Sequence, residues 1–544
     1  MQSAPSSPCS FKTLLILILT ALLLPLAGPG HAEDPKAQFT EGTTLLIQGD
    51  FEQKRNGIQK IATSGDKRAK AVLMALQDGN LFLVKKDNTL VYANTENSPV
   101  DIMSVFSGDV LKSVKKRKLK KITINNTLRT QLKDVLAKID LNSPDAKVRE
   151  EAVNKLAVSL TPESSGLLSE LLETETNSDV RDALTTAMAI ADLRSPDNEK
   201  KLLALSRLQG NLNPTVRNEI QRLISEKQDI SIRNKAESVL STIEAKTTLY
   251  GLAETIFFGL SLGSVLVLAA IGLAITFGVI GVINMAHGEL IMLGAYTTYV
   301  MQQMLPNSIG IALFLSIPAA FIVSGLTGIV IERSVIRFLY GRPLETLLAT
   351  FGVSLILQQA VRSVFSPLNR SVASPAWMSG SLQINPILSL TTNRITILIF
   401  SLLVFTGLYL LLKKSSIGLQ VRAVSQNRNM ARAMGIRAAK VDALTFGLGS
   451  GIAGIAGVAL SQLTNVGPNL GQAYIIDSFM VVVFGGVGNL WGTLIGGLSL
   501  GVANKFLEPW AGAVLAKILI LVFIILFIQK RPQGLFPQKG RAAG

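Results

Sequence analysis

From residue 250 onward the chain alternates apolar stretches with short polar connections. The stretches fall at about 251–273, 286–303, 308–331, 345–363, 394–412, 441–463, 474–488, 489–507 and 512–529. Most are long enough to predict helices that span a bilayer, which takes ~20 apolar residues. The pair at 474 and 489 is shorter, and the run VVVFGGVGNLWGTLIGG between them predicts a broken or re-entrant element. Eight or nine spans are expected.

Residues 33–249 follow a different pattern. Residues 36–78 read as helical, and Leu81–Val84 and Thr89–Tyr92, separated by Lys85–Asn88, predict a β-hairpin. From residue 143 a short motif recurs: SPDAKVREEAV with Arg149, NSDVRDAL with Arg181, NPTVRNEI with Arg217 and DISIRNKA with Arg233. Each is a turn set followed by Val or Ile, then Arg, then an apolar helix face. This predicts HEAT-like helical hairpins that bury their faces by stacking, in a short α-solenoid. The solenoid serves either as a concave binding surface or as a spacer. At the amino end, Lys12, the apolar run Leu14–Leu26 and Gly30-His31-Ala32 predict a secretory signal over 1–32. An uncleaved anchor is the other reading, and both place 33–249 outside the cytoplasm.

The expected fold class is therefore an all-α polytopic membrane protein with an extracytoplasmic β-hairpin and α-solenoid extension. Its boundaries are 1–32 signal, 33–142 helical and hairpin region, 143–249 repeats, and 250–544 membrane domain.

Charge sharpens this picture. The chain of 544 residues carries a net charge of +16, is 48% apolar, and is only 17% charged. Residues 33–249 hold 33 basic and 30 acidic side chains, whereas 250–544 hold 19 basic and 7 acidic. In the membrane half, 14 of the 19 basic residues fall in three clusters: Arg333/Arg337/Arg342, the Lys413–Lys440 loop, and Lys530/Arg531/Lys539/Arg541. The positive-inside rule assigns that side to the cytoplasm and accounts for the excess without nucleic acid. The run KKRKLKK at 115–121 reads first as a solvated face, and second as a contact for acidic lipid or phosphate.

Cys9, the sole cysteine, lies within the signal, and His31 leaves with it. The mature chain then has no thiol and one histidine, His287. Disulfides, cysteine nucleophiles and multi-histidine metal sites are excluded, and neither a metal nor a cofactor is expected. No catalytic constellation is found, so an enzyme is not expected.

Candidate chemistry lies where polar groups meet apolar surroundings. GVIGVINMAHGE places Asn284, His287 and Glu289 between two apolar stretches, where lipid would penalise them unless they face protein or water. Together they offer donors and acceptors suited to a small neutral polar solute. Alternatively, Asn284 and Glu289 cap a helix break around His287. Gln358, Gln359, Asp477 and Asn489 are further pathway candidates, and a proton-coupled carrier would use Glu289 or Asp477 as its relay. The loop KKSSIGLQVRAVSQNRNMARAMGIRAAK predicts an amphipathic helix over Ala423–Met434, broken at Gly435. Such a helix either docks on a partner, with Met430, Ala431 and Met434 in a groove, or lies on the membrane surface.

The segments AIGLAITFGVIGVINMAHGELIMLGAY, VRAVSQNRNMARAMGI, VVVFGGVGNLWGTLIGG and QKRPQGLF resemble the permease subunits of branched-chain amino-acid-type ABC importers over nearly all of 250–538. The extension, with FLVKKDNTLVYANTEN, SPDAKVRE and NPTVRNEI, further resembles the urea-importer permeases of that family. The resemblance implies an inner-membrane permease working with a second permease, two ATP-binding subunits and a periplasmic solute-binding protein. It also implies that Arg422, Asn427, Arg428, Met430, Ala431, Met434 and Gly435 form the ATPase-coupling element. The absence of any GxxxxGK[ST] loop agrees, since ATP is then hydrolysed elsewhere. The expected solute is urea or a similar small neutral amide. The rivals are branched-chain amino acids or short amides as cargo, an ATP-independent channel or carrier, and a chain that serves chiefly as a periplasmic scaffold.

Overall fold

The computed structural model describes residues 35–93, 100–106, 108–158, 160, 162–226 and 228–536. The expected signal at 1–32, with Cys9, lies outside the described residues, as do Lys539 and Arg541. The chain divides into two compact units, residues 1–211 with 215–240, and residues 212–214 with 241–544.

In the first unit, the stretch expected to be helical is three helices: α1 (Pro35–Gln48), α2 (Phe51–Thr63) and α3 (Ala69–Asp78). The first break follows from Asp50, whose carboxylate caps α2 while Gln53 returns a bond to the Asp50 backbone. The strands β1 (Leu81–Val84) and β2 (Leu90–Ala93) pair antiparallel, with Leu81 opposite Tyr92 and Leu83 opposite Leu90. They belong to a larger sheet. With β3 (Val100–Ser104), β4 (Val110–Val114) and β5 (Leu119–Lys121) they form five strands in the order β4-β3-β2-β1-β5. The lysine-rich run therefore ends as an edge strand, a place where charged side chains discourage further pairing. Phe39, Leu46, Ile58, Leu73, Leu76, Leu81 and Leu132 form the core between helices and sheet.

Six helices follow: α4 (Asn126–Asp140), α5 (Ala146–Val158), α6 (Pro162–Thr174), α7 (Ser178–Leu193), α8 (Asn198–Arg207) and α9 (Pro214–Ser225). The recurring motif marks helix starts, because its turn residues are caps. Asn177 Oδ1 accepts from the backbone N–H groups of Asp179 and Val180 at the head of α7. Arg149 ties one such turn to the next, donating from Nε (2.8 Å) and Nη2 (2.9 Å) to Glu175 and from Nη1 to Ser143 O. This pairing and the backbone N–H groups of Thr176 and Asn177 hold the Glu175 carboxyl down at about 2.

In the membrane half, all nine apolar stretches lie in helices: α10 (Ile230–Ile280), α11 (His287–Met304), α12 (Ile309–Ser334), α13 (Pro343–Phe365), α14 (Thr392–Lys414), α17 (Ala438–Ser461), α18 (Leu470–Gly485), α19 (Leu490–Ala511) and α20 (Ala513–Lys530). The loop before α17 holds α15 (Ser416–Gln426) and α16 (Arg428–Ala433), and a short hairpin of β6 (Ser381–Gln383) and β7 (Ser389–Thr391) precedes α14. The unit boundary falls within α10.

Against the expected eight or nine spans, six helices among the described residues are long and apolar enough to cross, with α11, α18 and α19 outside that set. Helix α18 has 16 residues, about 24 Å at 1.5 Å per residue against a ~30 Å hydrocarbon core. Helix α11 opens on His287 and Glu289, and α19 closes on NKFLEPWA. The break expected between α18 and α19 is real. Gly486 and Gly488 take φ of 105° and 78°, a region L side chains avoid.

Glycine sets the closeness of this bundle. A Cβ on Gly294 of α11 would lie 2.0 Å from Gly454 O of α17, and one on Gly457 would lie 2.0 Å from Ile291 O. Gly288 and Gly471 meet in the same way, a Cβ on either lying 2.5 Å or less from the other's carbonyl oxygen. Backbones in contact leave α11, α17 and the head of α18 as one block.

Candidate functional site

The polar motif at the head of α11 is split by helix geometry. Residues two apart on a helix point about 200° away from each other, so His287 and Glu289 face different neighbours. His287 is fully buried against α10, where Nε2 donates to Ala269 O at 2.9 Å; a carbonyl only accepts, so the proton sits on Nε2. Gly272 makes room for the ring, since a Cβ there would lie 2.9 Å from His287 Cε1. The imidazole is a strut between helices.

Glu289 faces α13. Its Oε1 accepts from Ser354 Oγ at 3.0 Å. In the turn leading into α11, Asn284 Oδ1 accepts from Ala286 N (3.0 Å) and Met285 N donates to Thr350 Oγ1 (3.1 Å). Thr346, Thr350, Ser354 and Gln358 recur every four residues along α13, and all four are buried. They form one hydroxyl and carboxamide stripe along a helix whose other faces carry Leu344, Leu348, Phe351, Leu355 and Ile356 exposed. Tyr296, two turns beyond Glu289 on α11, continues the line and packs its ring 4.8 Å from Phe365.

Asparagine 489 does other work. Its Oδ1 accepts from Trp491 N (3.0 Å) and Gly492 N (3.2 Å), and its Nδ2 donates to Phe536 O (3.2 Å). It caps α19 and holds the chain after α20. Gln359 is exposed on the outer side of α13. Asp477 accepts from Lys517 Nζ at 2.9 Å, joining α18 to α20. Lys517 gave no signal in the sequence, being a single basic residue inside an apolar run.

The loop residues sort into two sets. The single helix expected over Ala423–Met434 is two, because Asn427 leaves helical geometry and caps α16 through Met430 N at 2.9 Å. Ala431 is buried within the chain rather than presented to a groove. Arg422 Nη1 donates to Leu412 O at 2.7 Å, closing the end of α14, and Gly435 takes φ of 84° to leave α16. Arg428 is turned inward onto Asp442. Met430 (61% exposed) and Met434 (77%) remain as an unpartnered apolar pair beside exposed Arg432. A recess of about 300 Å³ near this loop is lined by Gly278, Tyr409, Lys413, Arg422, Ser425 and Trp491, among others. Among the described residues no group of three or more His, Cys, Asp or Glu is placed to hold a metal.

A multi-pass helical bundle with a polar seam along one helix pair and an apolar knob on a basic loop defines the class of a membrane permease. Residues 255–528 match the family model for the branched-chain amino acid transport system permease component. The chain is 31% identical over 298 residues to the high-affinity branched-chain amino acid transport system permease protein BraD of Pseudomonas aeruginosa, which covers 53% of this chain and 96% of that protein. It is 31% identical over 292 residues to the corresponding protein LivH of Escherichia coli K12, covering 52% and 94%. It is also 25% identical over 215 residues to the ribose import permease protein RbsC of Haemophilus influenzae, covering 37% and 62%. No solved structure matches. The chain belongs to the branched-chain amino acid transport permease family and is a multi-pass membrane protein.

Proposed function

We propose that this chain is the permease subunit of an ABC importer that passes urea or a similar small neutral amide across the inner membrane. A second permease, two ATP-binding subunits and a periplasmic solute-binding protein complete the machine. Residues 33–249 lie in the periplasm, and 143–249 act there as HEAT-like repeats. Met430 and Met434, flanked by arginines, are the knob that enters the ATP-binding subunit, with Asn427, Arg428, Ala431, Gly435 and Arg422 shaping it from behind. Asn284, Glu289 and Gln358 contact the solute, and His287 holds α11 in place.

The observation that supports the solute class is the stripe on α13. Hydroxyls and carboxamides facing a carboxylate suit a solute rich in N–H and C=O groups, whereas a leucine side chain needs an apolar recess beside them. The second reading, branched-chain amino acids as cargo, is favoured by the transport systems to which the relatives belong. Uptake of labelled urea and labelled leucine, compared in cells with and without this chain, separates the two. Urea uptake that depends on the chain and is lost with the partner ATPase is expected. Leucine uptake alone overturns the solute, and urea uptake that survives loss of the ATPase overturns the machine.

A further inference from the structure

Four buried polar atoms without a hydrogen-bond partner lie on or beside the α11/α13 seam: Asn284 Nδ2, Glu289 Oε2, Tyr296 Oη and Gln358 Nε2. Each residue is at most 4% exposed. At membrane depth such atoms carry a heavy penalty unless water or a ligand completes them. Other such atoms lie apart from the seam, Ser261 Oγ, Ser450 Oγ and Gln462 Oε1 among them, but these four line up. They follow the stripe of α13 and the facing edge of α11 over about three helical turns.

The second observation concerns how the two walls are held. Helix α11 is fixed by backbone contact to α17 and α18 through Gly288, Gly294, Gly454, Gly457 and Gly471. Helix α13 has no such clamp: a Cβ on its one glycine, Gly352, would meet nothing within 4 Å. Only 28% of its most apolar stretch is buried within the chain, against 83% for α17. It meets α11 through the apolar Val361 and Phe365 and, between Thr350 and Ser354, through hydroxyl bonds that exchange readily for bonds to water.

We infer that the seam between α11 and α13 is the solute path, with α13 as its movable wall and Glu289, Ser354 and Gln358 as a binding step for one small neutral amide. The solute's N–H groups donate to Glu289 Oε2, and its carbonyl accepts from Gln358 Nε2 one turn above Ser354. Asn284 and Tyr296 supply the polar contacts on either side of that step. This inference rests on the transport reading above, and it adds Ser354, Tyr296 and the helix that moves.

The test uses the full chain in its transport complex. Because Cys9 is the only cysteine, single cysteines are placed in a Cys9→Ser background at Ser354, at Gln358, and at Ser316 of α12 as a buried control. Each is exposed to a small water-soluble thiol reagent during ATP-driven cycling. Ser354→Cys and Gln358→Cys are expected to react at least tenfold faster than Ser316→Cys, and saturating urea is expected to slow them several-fold. Seam cysteines as unreactive as the control, in a chain that still takes up urea, overturn the path. Reactivity slowed by leucine and not by urea upholds the path and overturns the solute. As a check independent of folding, Gln358→Asn withdraws the amide by one methylene. It is expected to raise the urea KM several-fold at unchanged Vmax, and an unchanged KM overturns the binding step.

Discussion

Arg428 is bound to Asp442 across the joint between α16 and α17, with Asp442 completely buried and the guanidinium 4.5 Å over the ring of Tyr340. A second contact runs from Arg428 Nη1 to Asp442 Oδ1 at 3.3 Å. The loop helix is therefore fastened to α17 just past its first turn. Asp442→Asn leaves a cation short of its partner in a low-dielectric site, at a cost of ~3 kcal/mol. The expected result is lower thermal stability in detergent and loss of ATP-dependent uptake, while Met434→Asp instead impairs complex assembly. Arg428→Lys keeps the charge and loses the fork, so partial activity is expected. Full uptake in Asp442→Asn would show that the joint carries no force.

The glycine contacts predict opposite outcomes for one chemical change. Gly294→Ala puts a methyl 2.0 Å from Gly454 O and forces two backbones apart, at ~2 kcal/mol or more. Gly407→Ala in α14 meets open space and gains helix propensity, with an effect from zero to about 1 kcal/mol of stabilisation. Melting temperatures of the purified variants check the pair.

Asn489 separates capping from transport. Asn489→Ala removes the bonds to Trp491 N and Gly492 N and is expected to cost ~1 kcal/mol. Asn489→Asp keeps the acceptor but loses the Nδ2 bond to Phe536 O, so only part of it is recovered. Both are expected to leave the uptake KM unchanged, because the side chain is spent on backbone. A KM shift in Asn489→Ala with normal stability would return it to the pathway.

Acid acts on the first unit through Glu175. Its folded pKa is depressed to about 2 by Arg149 and two backbone N–H groups, so its contribution is complete above the ordinary carboxylate range near 4.5. That contribution falls away as pH drops toward 2. Glu175→Gln is expected to flatten this acid limb of the stability curve and, at neutral pH, to cost about 2 kcal/mol. Parallel pH melts of both proteins test the sign.

How much of this the sequence shows depends on the range of the interaction. Eight of the nine apolar stretches are helices within a few residues of their expected ends, because burial in lipid writes a continuous signal; the first begins at Ile230 rather than near 251, since its helix starts in the polar repeat region. The five-stranded sheet was visible only as Leu81–Val84 and Thr89–Tyr92. VDIMS and VLKSV are short, and their partners are set by long-range pairing. The motif NMAHGE marks a buried polar cluster, yet only the helix phase shows that His287 and Glu289 part company. Ser354 and Thr350 give no signal singly, because a hydroxyl inside an apolar run usually bonds its own helix. Their spacing of four, together with Thr346 and Gln358, was the signal that would have found them. Arg428 could not be told from its exposed neighbours, since its partner lies fourteen residues on.

The hydroxyl-lined face of α13 also shapes how opening responds to temperature. Water entering that groove would hydrate Thr350, Ser354, Gln358 and Glu289 together with their apolar flanks, and polar hydration lowers heat capacity where apolar hydration raises it, so the two offset. A gate of this kind opens with little change in heat capacity, so its rate should follow a nearly straight Arrhenius line across the growth range. A gate made of leucines would curve.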